Sequence, residues 1–272
     1  MEKEQKTMVL LMLGGIVFMT FMDAAGHYLA GNWYPYEFLL TVKNVLYVVE
    51  WTGIGFGLGL LAHGGRMKGI RVSKAYLIGA LPIFLIGAFP KVIYGAIPRS
   101  VMDWFYEMDL WTIIPTSWFL AAAGLLVFMG LGGGHEAESK REKKINLIIC
   151  VVFLLLMFPL GQLEYKMLQI PIGQYIYVIL LVVRFLLFGI AASLIAGAAK
   201  AEMPWGTGSV KVGILCLAFS LGWFFLTNWS LVFFKPEIFW SGAYCTALML
   251  AAYGGLFLTR GALERLRLKV EG

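Results

Sequence analysis

Charge is what this chain has least of. Only 14% of its 272 residues are Asp, Glu, Lys or Arg, against 60% that are hydrophobic, and the mean hydropathy is +0.79. That scarcity excludes an ordinary soluble domain, in which about a quarter of the residues are charged, and leaves a polytopic membrane protein. Cysteine is nearly as rare. Cys150, Cys216 and Cys245 form no C-x-x-C pair and all lie in apolar runs, which excludes a disulfide frame, a zinc site and a redox relay and leaves buried, inert thiols. Of three histidines, His63 and His135 fall in connections, so two intramembrane imidazoles for haem are missing. There is no H-E-x-x-H, no G-x-S-x-G elbow, no Walker motif and no carboxylate cluster spaced for a metal. We therefore expect no cofactor, and any active transport must draw on an ion gradient or a separate ATPase.

What is present is a series of long apolar runs. Windows of about 20 residues place spans near 8–29, 38–61, 75–95, 111–131, 145–165, 175–198, 211–230 and 238–259. The expected fold is all-α, a polytopic membrane bundle of eight transmembrane helices. The first run has no A-x-A-like cleavage site and reads as a retained span. The net charge of +6 does not point to nucleic acid, because the basic residues lie in short connections. Sixteen of the 22 Lys and Arg residues fall on one side of this topology and only Arg99, Lys166 and Lys235 on the other. By the positive-inside rule both termini are cytoplasmic, in a cell inner membrane. Trp33, Trp104, Trp111, Trp229 and Trp240 gather at the outer boundary, where amphipathic rings prefer to sit. The segment 98–111 is either a short helix on the membrane surface or an ordered loop.

The charged connection around His135 to Lys144 divides the chain into two nearly equal parts, 1–134 and 135–272, each with four spans. An offset of about 136 positions aligns Pro35 with Pro171, Gly53 with Gly189, Gly57 with Ser193 and Trp104 with Trp240. Four spans per part would make two parallel repeats within one membrane domain, related by an axis along the membrane normal. Gly53 and Gly57 are expected on a face where another backbone approaches closely. The run Gly53-Ile-Gly-Phe-Gly-Leu-Gly lacks the lysine of a phosphate loop and reads as helix-packing surface. Pro82 and Pro159 fall inside spans, where proline can kink a helix.

Against this background the polar residues inside spans stand out. A charge near a helix centre costs roughly 2.5 to 3.5 kcal/mol on insertion scales, so an intramembrane ionisable group is a functional-site hypothesis by default. Span two carries Lys43, Asn44 and Glu50, and span six carries Arg184. Lys43 and Glu50, seven residues apart, share a helix face, and a Glu50 to Arg184 pair is plausible by depth. Asp23 and His27 in the last turns of span one, Lys91 at the end of span three, Glu164 at the end of span five and Asn228 near the end of span seven lie toward the same outer half.

The bland readings stand beside these. Glu50 with Arg184 can be a structural pair fixing helix register, Lys91 and Lys43 can snorkel to the interface, and Asp23 with His27 can be a solvated span end.

These residues point to a multi-pass transporter or permease for a small polar or anionic solute, with a polar cavity in the outer half of the bilayer. Glu50 would be the coupling carboxylate, Arg184 and Lys43 would hold the anion, and Asp23 with His27 would line the entrance. Two alternatives stay open: an intramembrane enzyme acting on a lipid or polyprenyl head group, and a non-catalytic membrane subunit. The expected partners are the lipid bilayer, a small anionic solute or lipid head group, and a protein partner or second copy of the chain.

Overall fold

The computed structural model describes residues 3–31, 36–65, 72–89, 116–133, 139–168, 173–197, 204–230 and 237–271. Among them are eight α-helices and no strand: α1 (Lys3–Gly31), α2 (Tyr36–Ala62), α3 (Lys74–Ala88), α4 (Thr116–Phe128), α5 (Lys140–Leu168), α6 (Gly173–Gly197), α7 (Ser209–Ser230) and α8 (Glu237–Glu271). A π-helical turn, Met129–Gly133, extends α4, and a 3₁₀ turn, Gly206–Gly208, leads into α7. The eight helices fall where the eight apolar windows fall. Helices α1, α2, α5, α7 and α8 contain runs long and apolar enough to cross a membrane, while α3, α4 and α6 carry shorter apolar stretches. The segment 98–111 and its tryptophans Trp104 and Trp111, together with Trp33, Pro35, Lys91, Pro171 and His135, lie outside the described residues.

The exterior is as apolar as the core. Leu10, Val17 and Phe21 on α1, Ile78 on α3, Leu155 on α5 and Phe219 on α7 all present their side chains outward. A soluble fold would not display large hydrophobic side chains on so many of its helices, and lipid is the solvent that suits them.

Local signals set the helix ends. At the start of α5, the Ser139 backbone N–H donates to Glu142 Oε2 at 2.6 Å and the Glu142 N–H donates to Ser139 Oγ at 3.1 Å, the reciprocal capping box that S-x-x-E encodes. Pro82 and Pro159 sit inside α3 and α5 without ending them. Neighbouring helices support the chain where a proline removes one ladder bond.

Packing repeats in order along the chain. Helix α1 packs on α2, α2 on α4 and α3 on α4; in the same sequence α5 packs on α6, α6 on α8 and α7 on α8. The two sets meet where α1 touches α8 and α2 touches α6. Glycines close each set. A Cβ on Gly55 would collide with the Ala121 carbonyl, and one on Gly124 with the Thr52 carbonyl; in the other set a Cβ on Gly189 would strike the Ala252 carbonyl, and one on Gly255 the Leu186 carbonyl. Each clasp is a reciprocal small-residue crossing that brings two backbones together.

This corrects one sequence expectation. The glycine face that meets another backbone carries Gly55, whereas Gly53 meets the Phe18 ring and a Cβ on Gly57 would meet nothing within 4 Å. The physical reason is that glycine recurs at every second position from 53 to 59, which puts two stripes on two different faces.

Candidate functional site

Glu164 stands four residues before the end of α5 at Leu168, and Arg184 eleven residues after the start of α6 at Gly173. The structure joins them: Arg184 donates to Glu164 in a salt bridge, with each side chain 8% exposed. The Arg184 guanidinium carbon also lies 5.3 Å from the centroid of the Trp118 ring on α4, a cation–π distance. The hydroxyls of Tyr177 on α6 and Tyr244 on α8 interact electrostatically with Arg184 and share a hydrogen bond with each other. Below this polar cluster the rings of Trp118, Phe153 and Phe188 pack mutually, with Trp118 to Phe188 centroids 5.6 Å apart and Phe153 to Phe188 5.3 Å apart.

The pairing expected between Arg184 and Glu50 is therefore replaced by Arg184 with Glu164. Depth matched Arg184 to Glu50, but the packing of α6 on α5 brings Glu164 to it. Glu50 is 7% exposed on α2. Among the described residues it forms no ion pair or hydrogen bond, and the charged group acting on it is another acid, Asp23 of α1. One turn outward, the Tyr47 hydroxyl shares a 3.1 Å hydrogen bond with Thr116 of α4.

One turn inward on the same face of α2 begins a cleft of about 270 Å³ between α1, α2 and α8. Gly14, Gly15, Gly53 and Gly57 contribute to its walls, with Phe18, Ile54, Leu58 and Met249 among its apolar side chains. Tyr253 of α8, which also lines it, donates its hydroxyl hydrogen to the Met12 carbonyl at 2.9 Å. The cleft opens at the side of the bundle, where Leu10 and Gly14 are exposed.

The other expected site residues divide in two groups. Lys43 and Asn44 are exposed on the turns of α2 that precede Glu50, and Lys43, seven residues before Glu50, lies on the same helix face. Asp23 is half-buried and takes part in the Glu50 environment. His27 and Asn228 are in α1 and α7, but their side chains, like the whole of Lys91, lie outside the described residues. The polar cavity expected in the outer half is not found as such among the described residues; the cleft is apolar and starts inward of Glu50.

Sequence reasoning noted Glu164 without assigning it to Arg184, and missed Trp118, Tyr177 and Tyr244. Glu164 was visible as a carboxylate at the end of span five, but no sequence spacing pairs it with Arg184. Nothing marks Trp118, because α4 is apolar on every face. Among the described residues no group of three or more His, Cys, Asp and Glu side chains could hold a metal. In comparisons with protein families, curated proteins and solved structures, nothing matches this chain.

Proposed function

We propose that the chain is a multi-pass transporter or permease, an eight-span bundle of the cell inner membrane with both termini cytoplasmic. The observation that carries this reading is Glu50, a carboxylate buried in an apolar helix with no cation beside it among the described residues. Leaving a buried carboxylate without a counterion is costly for a merely structural group, and acids kept in such places mark ion or substrate pathways. The 16 to 3 distribution of basic residues supports the orientation.

We also propose that the bundle consists of two parallel four-helix repeats. The repeated packing order and the matched glycine clasps support it. At the offset of 134 that relates Gly55 to Gly189, Glu50 corresponds to Arg184 and Trp51 to Phe185; the Gly124 and Gly255 clasp gives 131.

The site as built does not favour an anionic solute. Arg184 is engaged by Glu164, and Lys43 is exposed. The same two facts weigh against an enzyme that would grip a phosphate head group with those cations.

The test is solute-driven ion flux in proteoliposomes loaded with a pH-sensitive dye and challenged with a panel of small solutes. The expected result is flux that disappears in Glu50→Gln while the variant remains folded. Unchanged flux in Glu50→Gln would overturn the coupling role.

A further inference from the structure

The cleft between α1, α2 and α8 has a floor, a back wall and one open side. Gly53 lets the Phe18 ring lie against α2, because a Cβ there would collide with it, and this ring closes the inner end. Gly15 makes the same room for Tyr253, so that α8 forms the back wall with Tyr253 and Met249. The remaining side opens past Leu10 and Gly14, both exposed on α1.

No group in the cleft serves a polar guest. Its side chains are apolar except that of Tyr253, whose hydroxyl already donates to the Met12 carbonyl at 2.9 Å, and a water needs two to four polar partners to stay. Size excludes a helix from a second copy. From Leu10 to Phe18 the cleft follows about 12 Å of α1, and a helix about 10 Å across would need roughly 900 Å³ over that length. The cleft offers about 270 Å³. A single alkyl chain is narrow enough to enter, and the depth suits it, since the hydrocarbon of one leaflet is about 15 Å thick, half of a core of about 30 Å.

Charge at the open side indicates what such a chain carries. Lys3 and Lys6 precede Leu10 by seven and four residues, which puts both on the face of α1 that Leu10 and Gly14 present to the opening. Both are exposed, and among the described residues neither forms an ion pair. Glu4, six residues before Leu10, points about a third of a turn away. We infer that the cleft holds one phospholipid from the leaflet at the N-terminal end of α1, an acyl chain lying between Leu10 and Phe18 and its phosphate at Lys3 and Lys6.

Glycine keeps that space free. Gly14 and Gly57 have nothing within 4 Å of where a Cβ would be, so the missing side chains serve no helix contact. An apolar cleft open to the bilayer is filled by its solvent, and a lipid tail supplies dispersion contacts along the whole depth. The phosphate it brings gives the two lysines a charged hydrogen-bond acceptor.

This inference goes beyond the transporter reading and does not need it. The full chain, extracted in mild detergent and washed extensively, should retain one phospholipid per chain in native mass spectrometry. Gly14→Leu and Gly57→Leu, which fill the cleft from two walls, should each lower that occupancy at least about tenfold while leaving the melting temperature near that of the parent. The delipidated chain is then titrated with dioleoylphosphatidic acid and with dioleoylglycerol, which has the same chains and no phosphate. Phosphatidic acid should bind about tenfold tighter, and Lys3→Gln/Lys6→Gln should remove about that factor. Both lysines are exposed, so this arm decides the matter if the leucine variants fail to fold.

No saturable binding of phosphatidic acid, equal binding of the two lipids, or occupancy undiminished in the folded leucine variants would each overturn the proposal. So would a lipid-free dimer that Gly57→Leu dissociates, because a second copy would then be the occupant. None of these outcomes depends on whether the chain moves a solute.

Discussion

Between α5, α6 and α4, a guanidinium and three aromatic rings fill the space that between α1, α2 and α8 is left to two carboxylates and a glycine-lined cleft. The same helix arrangement therefore contains one closed and one open version of a site. The closed version shows what the fold needs for stability: a satisfied charge and filled volume. In the open version Glu50 has no ion pair or hydrogen bond among the described residues, and a protein sitting only a few kcal/mol above unfolding retains such an omission chiefly where function requires it.

The sharpest way to break this comparison is at the glycines. Gly55→Val and Gly189→Val drive a side chain into the Ala121 and Ala252 carbonyls, and backbone has little room to yield. Each should cost more than about 3 kcal/mol, seen as loss of the monodisperse peak in size-exclusion chromatography. Gly57→Val, two residues from Gly55, should leave that peak intact. Equal effects at all three positions would mean that the stripe facing the cleft is also structural.

A second set acts on the charges. Arg184→Leu or Glu164→Leu alone leaves a buried, uncompensated charge and should lower stability by about 3 to 5 kcal/mol. The double variant Arg184→Leu/Glu164→Leu should recover most of the loss, because both charges go together. Glu50→Gln should be neutral or stabilising in the same thermal unfolding assay. A Glu50→Gln variant as unstable as Arg184→Leu would show that Glu50 has a structural partner and would erase the contrast between the two regions.

The smallest expected effect comes from the wall of the cleft. Tyr253→Phe removes the 2.9 Å hydrogen bond to the Met12 carbonyl and should cost about 1 kcal/mol. Thermal unfolding should report the change with helicity by circular dichroism unaltered. A larger loss would mean that α1 is held to α8 chiefly by this one bond.

The helices were legible because their cause is local. A run of apolar residues long enough to span lipid is visible without any partner, and all eight windows coincide with helices. The S-x-x-E capping box before α5 was equally legible in principle, since both its residues lie within one turn. Which residues meet across helices was harder to read. Arg184 was matched by depth to Glu50, whereas the packing of α6 on α5 gives it Glu164.

The alternating glycines from 53 to 59 are ambiguous for a related reason. Composition shows that small residues are present, but the rotation of α2 about its axis decides which stripe meets α4. That rotation depends on neighbours that sequence periodicity cannot see in a helix apolar on most of its surface. The cleft was out of reach for the same reason, because an empty volume belongs to three helices at once.

One contact at the centre of the bundle bears on how such a chain could arise. The rings of Trp51 on α2 and Phe185 on α6 meet with centroids 5.8 Å apart, and they occupy corresponding positions in the two proposed repeats. Any residue that touches its own counterpart lies on the axis relating the copies. In a dimer of two identical four-helix chains this would be one residue type facing itself, and every substitution there would change both sides of the contact at once. Joining the copies in a single gene lifts that constraint. Tryptophan on one side can then be matched by phenylalanine on the other, and one residue away, at positions 50 and 184, one copy can carry an acid and the other a base.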